Sequence, residues 1–321
     1  MEDPANRQTA LVADVGGTNI RIALATSAGL QDTKTWHCAD FATIQEALRA
    51  YLKAIPVQES PKRAAIAVAS PVEGDEIEFA NQQWHFSISQ LRRDLALEDL
   101  RVVNDFTALA ASIPRLEPQD TKILKDGVAL EHAAIAVLGP GTGLGVSGLI
   151  SADGGWIPLS AEGGHSTLAA TNKREWGIVE ILSREFGRVS NERILSGPGL
   201  VHLYRALCEM EDESPADLTP ADVATGAATD PDSHEAMAVK MFSGWLGTAA
   251  GDLVLSLGAR GGVYIGGGVV PKMLPVFDQE YFVERFVNKG RLTSYVEPVP
   301  VHLVLNTQIA LVGAAAIIQG S

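Results

Sequence analysis

The apolar residues of this chain fall into two patterns: short β-forming runs broken by glycine turns, and longer stripes at helical spacing. Residues 10–15 (ALVADV) and 20–26 (IRIALAT) read as strands on either side of Gly16-Gly17-Thr18. Residues 133–138 (AAIAVL) and 146–151 (VSGLIS) flank Gly139-Pro140-Gly141-Thr142-Gly143-Leu144-Gly145 in the same way. Placing Gly16 on Gly141, 125 positions later, superposes the two patterns. The match is a faint internal repeat of strand, glycine turn and strand.

Between the copies, Ile44, Ala47, Leu48, Tyr51, Leu52 and Ile55 keep the i, i+3, i+4, i+7 spacing of a helix, with Thr43 placed to cap it. Residues 64–69 form an uninterrupted apolar run, as in a strand covered on both faces. Pro71, Gly74 and Asp75 punctuate the next stretch of chain, and Ile77 and Phe79 alternate as in a strand. Ser89 is placed to cap a helix carrying Leu91, Leu95 and Leu97. Leu100 to Val103 reads as a short strand ending at Asn104-Asp105, the end at which open α/β sheets bind ligands.

Pro114 and Pro118 mark a crossing into a second domain. Its longest helix is expected from near Ser233 to Leu257, closed by Gly258. Pro298 and Pro300 break the chain again, 301–305 (VHLVL) reads as a strand, and Gln308 to Gln319 as an apolar helix returning to the first domain. The expected division is a small α/β domain of residues 1–112 plus 303–321 and a large one of 113–302. The first few residues and 211–220 are expected to be loosely ordered.

Composition narrows the function. A hydrophobic fraction of 46% supports full cores. Net charge is −14, which argues against a nucleic-acid or anionic-membrane partner, because both need clustered Lys and Arg. Cys38 and Cys208 stand far apart with no C-x-x-C, so neither a disulfide framework nor a cysteine zinc site is expected. Met1-Glu2-Asp3-Pro4 lacks a signal-peptide pattern and no apolar run is long enough to cross a bilayer. A cytoplasmic protein is expected.

The glycine turns are the first candidates for chemistry, because without a Cβ the backbone N–H groups approach an anion closely. Asp14 precedes Gly16-Gly17-Thr18 at a strand end, where its carboxylate can hold water around Mg²⁺. A plain hairpin is the other reading of that turn. Gly143, Gly145 and Gly148 spell the G-x-G-x-x-G dinucleotide fingerprint, yet strand-like Val146 to Ile150 comes where that fingerprint needs a helix. No G-x-x-x-x-G-K-[ST] occurs. Asp105 is placed to orient and deprotonate a hydroxyl, while helix capping by Asn104 or Asp105 is the alternative. Glu162, His165 and Glu192 suit vicinal sugar hydroxyls, or else a surface loop.

Taken in order, D-V-G-G-T-N, S-P-V-x-G-D, N-x-x-W, N-D-F, G-P-G-T-G-L-G, E-G-G-H, E-R-x-L-S-G-P-G-L and G-G-x-V-P run from Asp14 to Pro271. The set resembles the bacterial ATP-dependent glucokinases, in the superfamily of hexokinases, actin and heat-shock-chaperone ATPases. The resemblance implies two ribonuclease-H-like (actin-like ATPase) α/β domains hinged around an interdomain cleft, and transfer of the ATP γ-phosphoryl group to glucose. It implies Asp105 as general base, with Asn104, Glu162, His165 and Glu192 on the sugar hydroxyls and Asn81 in support. Ala13, Asp14, Val15, Gly16, Gly17 and Thr18 and also Gly141, Thr142 and Gly143 would cradle phosphates, with Asp14 near Mg²⁺. Gly266, Gly267 and Gly268 would border the adenosine. A homodimer is also implied. The Cys-rich zinc motif of the related repressor/open-reading-frame/kinase sugar kinases is missing after Glu162-Gly163-Gly164-His165.

Two positions depart from the family pattern. Pro140 stands where a small residue is usual and has no N–H for a phosphate. Ser166-Thr167 comes after His165 where relatives often carry an acid nearby. The competing readings are a kinase for mannose, fructose or N-acetylmannosamine, and a sugar-responsive regulator on the same scaffold. Such regulators usually add an N-terminal helix-turn-helix, whereas about ten residues precede the first strand here.

Overall fold

A computed structural model describes residues 9–55, 60–79, 84–152 and 154–320. The chain divides into two compact units. One comprises Met1–Leu116, Pro158–Ser160 and Asn306–Ser321; the other comprises Glu117–Ile157 and Ala161–Leu305.

The first unit opens with strands β1 (Ala10–Val15), β2 (Asn19–Thr26) and β3 (Gly29–His37), then helix α1 (Ile44–Ala54). Next come strands β4 (Arg63–Val68), β5 (Glu76–Glu78) and β6 (His85–Ser87), helix α2 (Ile88–Asp94), strand β7 (Asp99–Asn104) and helix α3 (Asp105–Ser112). The main sheet has the order β3-β2-β1-β4-β7. β1, β2 and β3 are antiparallel neighbours, while β4 runs parallel to β1 and β7 parallel to β4. Period-two alternation assigns the faces of β1. Leu11, Ala13 and Val15 pack in one cluster with Ile44, Leu48 and Tyr51 of α1, and Ala10 and Val12 pack on the other face.

The second unit carries β8 (Thr121–Lys125), β9 (Ile135–Pro140), β10 (Leu144–Ala152) and β11 (Gly155–Leu159), whose last residues group with the first unit. Helices α4 (Lys173–Phe186), α5 (Gly197–Met210), α6 (Pro220–Thr229) and α7 (His234–Leu257) lead to β12 (Val263–Ile265). Helices α8 (Val269–Met273), α9 (Gln279–Val287) and α10 (Thr293–Val296) and strand β13 (Val301–Val304) complete it. The sheet order β11-β10-β9-β12-β13-β8 repeats the first sheet's plan, with β12 and β13 parallel to β9 and β8 added antiparallel at the edge. The fold is the ribonuclease-H-like α/β class. The repeat is close at the hairpins: β1 ends at Val15 and β2 starts at Asn19, and the same positions 125 residues on, Pro140 and Leu144, end β9 and start β10.

The second core is built around α7, whose Phe242, Trp245 and Leu246 are fully buried. Trp245 Nε1 donates to Ala169 O at 3.0 Å. A buried ion pair, Arg285 with Glu175, ties α9 to α4. Gly258 closes α7 in the left-handed region at φ 64°, as its position after Leu257 predicts.

Several boundaries differ from the sequence reading. Ser87 rather than Ser89 caps α2, its Oγ accepting from Gln90 N–H at 3.1 Å, because Ser89 lies inside the helix and bonds Asp75. Leu97 lies beyond that helix. The hairpin strands around Gly141 run up to the turn instead of stopping at residues 138 and 146, since the ladder pairs Pro140 with Leu144. Segment 211–220 is tied down. Ala216 N–H donates to Tyr204 Oη, Arg205 pairs with Asp217, and Glu211 and Glu213 face the two ring nitrogens of His234. Residue Asn81 lies outside the described residues.

The chain ends in α11 (Ile309–Gln319), which belongs to the first unit. Leu311, Ala314, Ala315 and Ile318 pack on Ala10, Val12, Ala23 and Ala65, where small side chains let the helix lie close to the sheet. At the crossing with α3, a Cβ on Gly313 would overlap the carbonyl of Ala108. Gly313→Ala therefore forces apart the two helices and is expected to destabilise the chain by about 1–3 kcal/mol. A denaturation midpoint equal to wild type would show that the crossing yields at no cost.

Candidate active site

β1, β4 and β7 end level with one another, Val15 opposite Val68 and Val68 opposite Asn104. With strands spaced about 4.8 Å apart, the Gly16 turn and the start of α3 leave the same sheet edge roughly 10 Å from each other. This is the carboxyl edge at which ligands bind in open α/β sheets.

In the first turn, Gly16 N–H donates to Asn19 O at 2.9 Å and so closes the turn on itself. Cys38, buried directly behind, donates its N–H to Thr18 O at 2.8 Å and its thiol to Gly16 O at 3.7 Å. Burial pushes the thiol pKa up, which keeps the S–H as donor. In a trans peptide C=O and N–H point in opposite directions, so carbonyls held towards Cys38 turn the N–H groups of Gly17 and Asn19 the other way. The donors offered to an anion are therefore narrower than the sequence suggests. Ala13 and Val15 are fully buried strand residues. Their part is to hold the turn, and nothing in the motif distinguishes Cys38 as its backing.

Asp14 sits on β1 opposite Arg21 of β2, and its Oδ2 accepts from Arg21 Nη1 at 3.0 Å. Desolvation raises its pKa above the usual carboxylate range, only partly offset by Arg21. A part-buried carboxylate of this kind fits a hard divalent cation such as Mg²⁺, directly or through water.

Asn104 is the N-cap of α3. Its Oδ1 accepts from Phe106 N–H at 2.9 Å and Thr107 N–H at 3.4 Å, and its Nδ2 donates to Ser70 O at 3.3 Å. The capping role weighed from the sequence is thus real and belongs to Asn104. It positions Asp105 as the first residue of the helix, where the helix dipole favours a carboxylate. Asp105 Oδ1 accepts from Phe106 N–H at 2.9 Å.

The second unit repeats the edge. Gly141 N–H closes its turn on Gly143 O at 2.8 Å, one residue tighter than the Gly16 bond to Asn19 O. Pro140 is the last residue of β9, before the turn, so its missing N–H removes no donor from the turn itself. Gly197 N–H, at the start of α5, donates to Gly141 O at 2.8 Å, and Ser196 caps that helix through Gly199 N–H at 3.0 Å. The S-G-P-G-L run thus serves as a support for the turn, a role not read from it in the sequence. Gly266 N–H donates to Leu138 O at 2.8 Å, and Gly267 at φ 77° lies so close to the Pro140 carbonyl that a Cβ would overlap it. The second and third glycine turns therefore lie side by side.

Glu162 precedes the short 3-10 turn Gly163–His165. Gly164 lets this turn rest on the Leu144 carbonyl of β10. Glu192, in the 3-10 turn Asn191–Arg193, places Oε2 on Leu144 N–H at 3.0 Å and Oε1 3.9 Å from His165 Nδ1. Ser166, one of the two departures, joins the two turns. Its Oγ donates to Gly163 O at 2.7 Å and accepts from Asn191 Nδ2 at 2.8 Å. The serine supplies local support for His165 without an acid. Among the described residues, His165, Glu192 and the Gly141–Gly143 turn are brought together in one unit.

A glucokinase family model matches residues 11–321. The chain belongs to the glucokinase family. It is 44% identical to the glucokinase of Chromobacterium violaceum over 95% of this chain and 88% of that protein. It is 43% identical to the glucokinase of Aromatoleum aromaticum over 97% and 95%. The crystal structure of a glucokinase from an Antarctic psychrotroph matches with a TM-score of 0.90 at 39% identity, covering 98% of this chain and 99% of that one. Membership of the glucokinase family accounts for the order of the motifs. Strand β10 after the second turn disposes of the dinucleotide-fold reading. No helix among the described residues is long and apolar enough to cross a membrane.

Gly267→Ala adds both the overlap with Pro140 O and the strain of the left-handed region, about 1–2 kcal/mol by itself. Titration with AMPPNP is expected to show at least tenfold weaker nucleotide binding, at roughly 1.4 kcal/mol per decade. Wild-type affinity would separate this turn from the nucleotide.

Proposed function

We propose that the chain phosphorylates D-glucose to glucose 6-phosphate with ATP, the entry step of glycolysis, as a cytoplasmic and homodimeric enzyme. The observation that supports this reading best is the capped start of α3, where Asn104 fixes Asp105 on the same sheet edge as the Gly16–Thr18 turn.

Phosphoryl transfer is chiefly positioning and charge stabilisation. Asp105 orients the sugar 6-hydroxyl and receives its proton as the oxygen attacks. Asn104, rigid through its cap and its bond to Ser70, holds a neighbouring hydroxyl, with Asn81 in support. In the second unit Glu162, His165 and Glu192 hold the others through their oxygen and ring-nitrogen atoms. The N–H groups of Gly17, Asn19, Thr142 and Gly143 and the Thr18 hydroxyl meet phosphate oxygens, and Gly266 to Gly268 border the adenosine. Mg²⁺ supplies charge neutralisation of the phosphates when bound, with Asp14 as the residue that would hold it through water.

Removing a general base lowers rate by roughly 10²–10⁴-fold. Asp105→Ala is expected to lose about 3–6 kcal/mol of transition-state stabilisation. The assay is ADP release coupled to glucose phosphorylation. A kcat within about threefold of wild type would remove the base role. The same assay run over glucose, mannose, fructose and N-acetylmannosamine tests the sugar; a higher kcat/KM for another hexose would replace glucose as substrate.

A further inference from the structure

We infer that Glu192 is a positioning residue for the second glycine turn as well as a sugar contact, one carboxylate oxygen serving each. The inference rests on the proposed function, which places phosphate on that turn and sugar on Glu192.

The Gly143–Leu144 peptide is clamped from both ends. Its carbonyl accepts from Gly141 N–H at 2.8 Å, and its N–H donates to Glu192 Oε2 at 3.0 Å. Without the carboxylate, Leu144 N–H loses its acceptor and the glycine-rich peptide loses one of its two fixed ends. The other oxygen, Oε1, faces His165 Nδ1 at 3.9 Å. Ser196 Oγ donates to Glu192 O at 2.8 Å, and Ser196 in turn caps α5, whose first N–H holds Gly141 O. Glu192 is thus bonded to the turn directly through its side chain and indirectly through its backbone.

The contact also explains a glycine. A Cβ at Gly143 would overlap the Glu192 carboxylate, and open space or ordinary contact surrounds it otherwise. No positive φ is needed at that position. A Cβ at Gly143 would push the flexible Glu192 carboxylate off Leu144 N–H, which makes the pair energetically dependent on one another. Charge alone predicts the opposite effect, since a carboxylate beside bound phosphate repels it. Weaker nucleotide binding on removal of Glu192 can thus be assigned to lost positioning.

The test is calorimetric titration of the full chain with Mg²⁺ and AMPPNP in the absence of sugar, where a residue that only contacts sugar has no effect. Glu192→Ala is expected to weaken binding roughly tenfold, the scale of one charge-assisted hydrogen bond. Glu192→Gln, which keeps an acceptor oxygen for Leu144 N–H, is expected to stay within about threefold, and His165→Ala likewise. Gly143→Ala is expected to weaken binding alone, yet to add less than about twofold in the Glu192→Ala background, because the overlap is gone. As a second readout, Gly143→Ala is expected to raise the KM for glucose. Unchanged nucleotide binding by Glu192→Ala, or strictly additive losses for the pair, overturns the positioning role alone. No nucleotide binding by the wild-type chain overturns this role and the proposed function together.

Discussion

Close approach of backbone to backbone is the constraint on which the glycine turns of the second unit and the helix packing of the first depend. Gly164 rests on the Leu144 carbonyl, Gly267 on the Pro140 carbonyl, and Gly313 brings α11 against α3. At each contact a single methyl group would fill the space that the arrangement needs. Packing at interior density transmits such a change instead of absorbing it. The turns are consequently rigid supports for N–H groups, and the polar side chains around them inherit that rigidity.

Both units reach a similar solution by related bonds. In each, the first residue of the turn closes on the carbonyl of its last residue, Gly16 on Asn19 three positions on and Gly141 on Gly143 two positions on. Each turn then has carbonyls held from behind. Cys38 serves the first turn, and Gly197 at the start of α5 the second. The backing residues are chemically unrelated, a buried thiol and a helix N-terminus, yet both hold carbonyls so that the opposed N–H groups face outward. The repeat is therefore one of geometry more than of residue type, which is why it is faint in the sequence.

The carboxylates differ in their surroundings. Asp14 is part-buried against one arginine, and desolvation raises its pKa. Asp105 stands at a helix start prepared by Asn104. Glu192 is held by a backbone N–H on one oxygen. Three acids of the same formal charge thus stand in three different electrostatic settings.

Much of this was legible from residue order. The alternating apolar runs located β1, β2, β4 and β7; the helical stripe located α1; and Gly258 ended α7, because burial patterns and positive φ leave local signatures. The ordered motifs identified the family. Local pattern was weaker where two polar residues competed, so Ser89 was read as the cap that Ser87 provides. It was silent where partners lie far apart in the chain. Cys38 behind Gly16, Ser166 beside Asn191, and Glu192 against Leu144 are contacts across 22, 25 and 48 positions. Residue type and spacing decided which groups were available. Only folding of the sheets decided which carbonyls were held from behind and which N–H groups were left to face a ligand, because peptide orientation is set by the acceptor that the tertiary structure supplies.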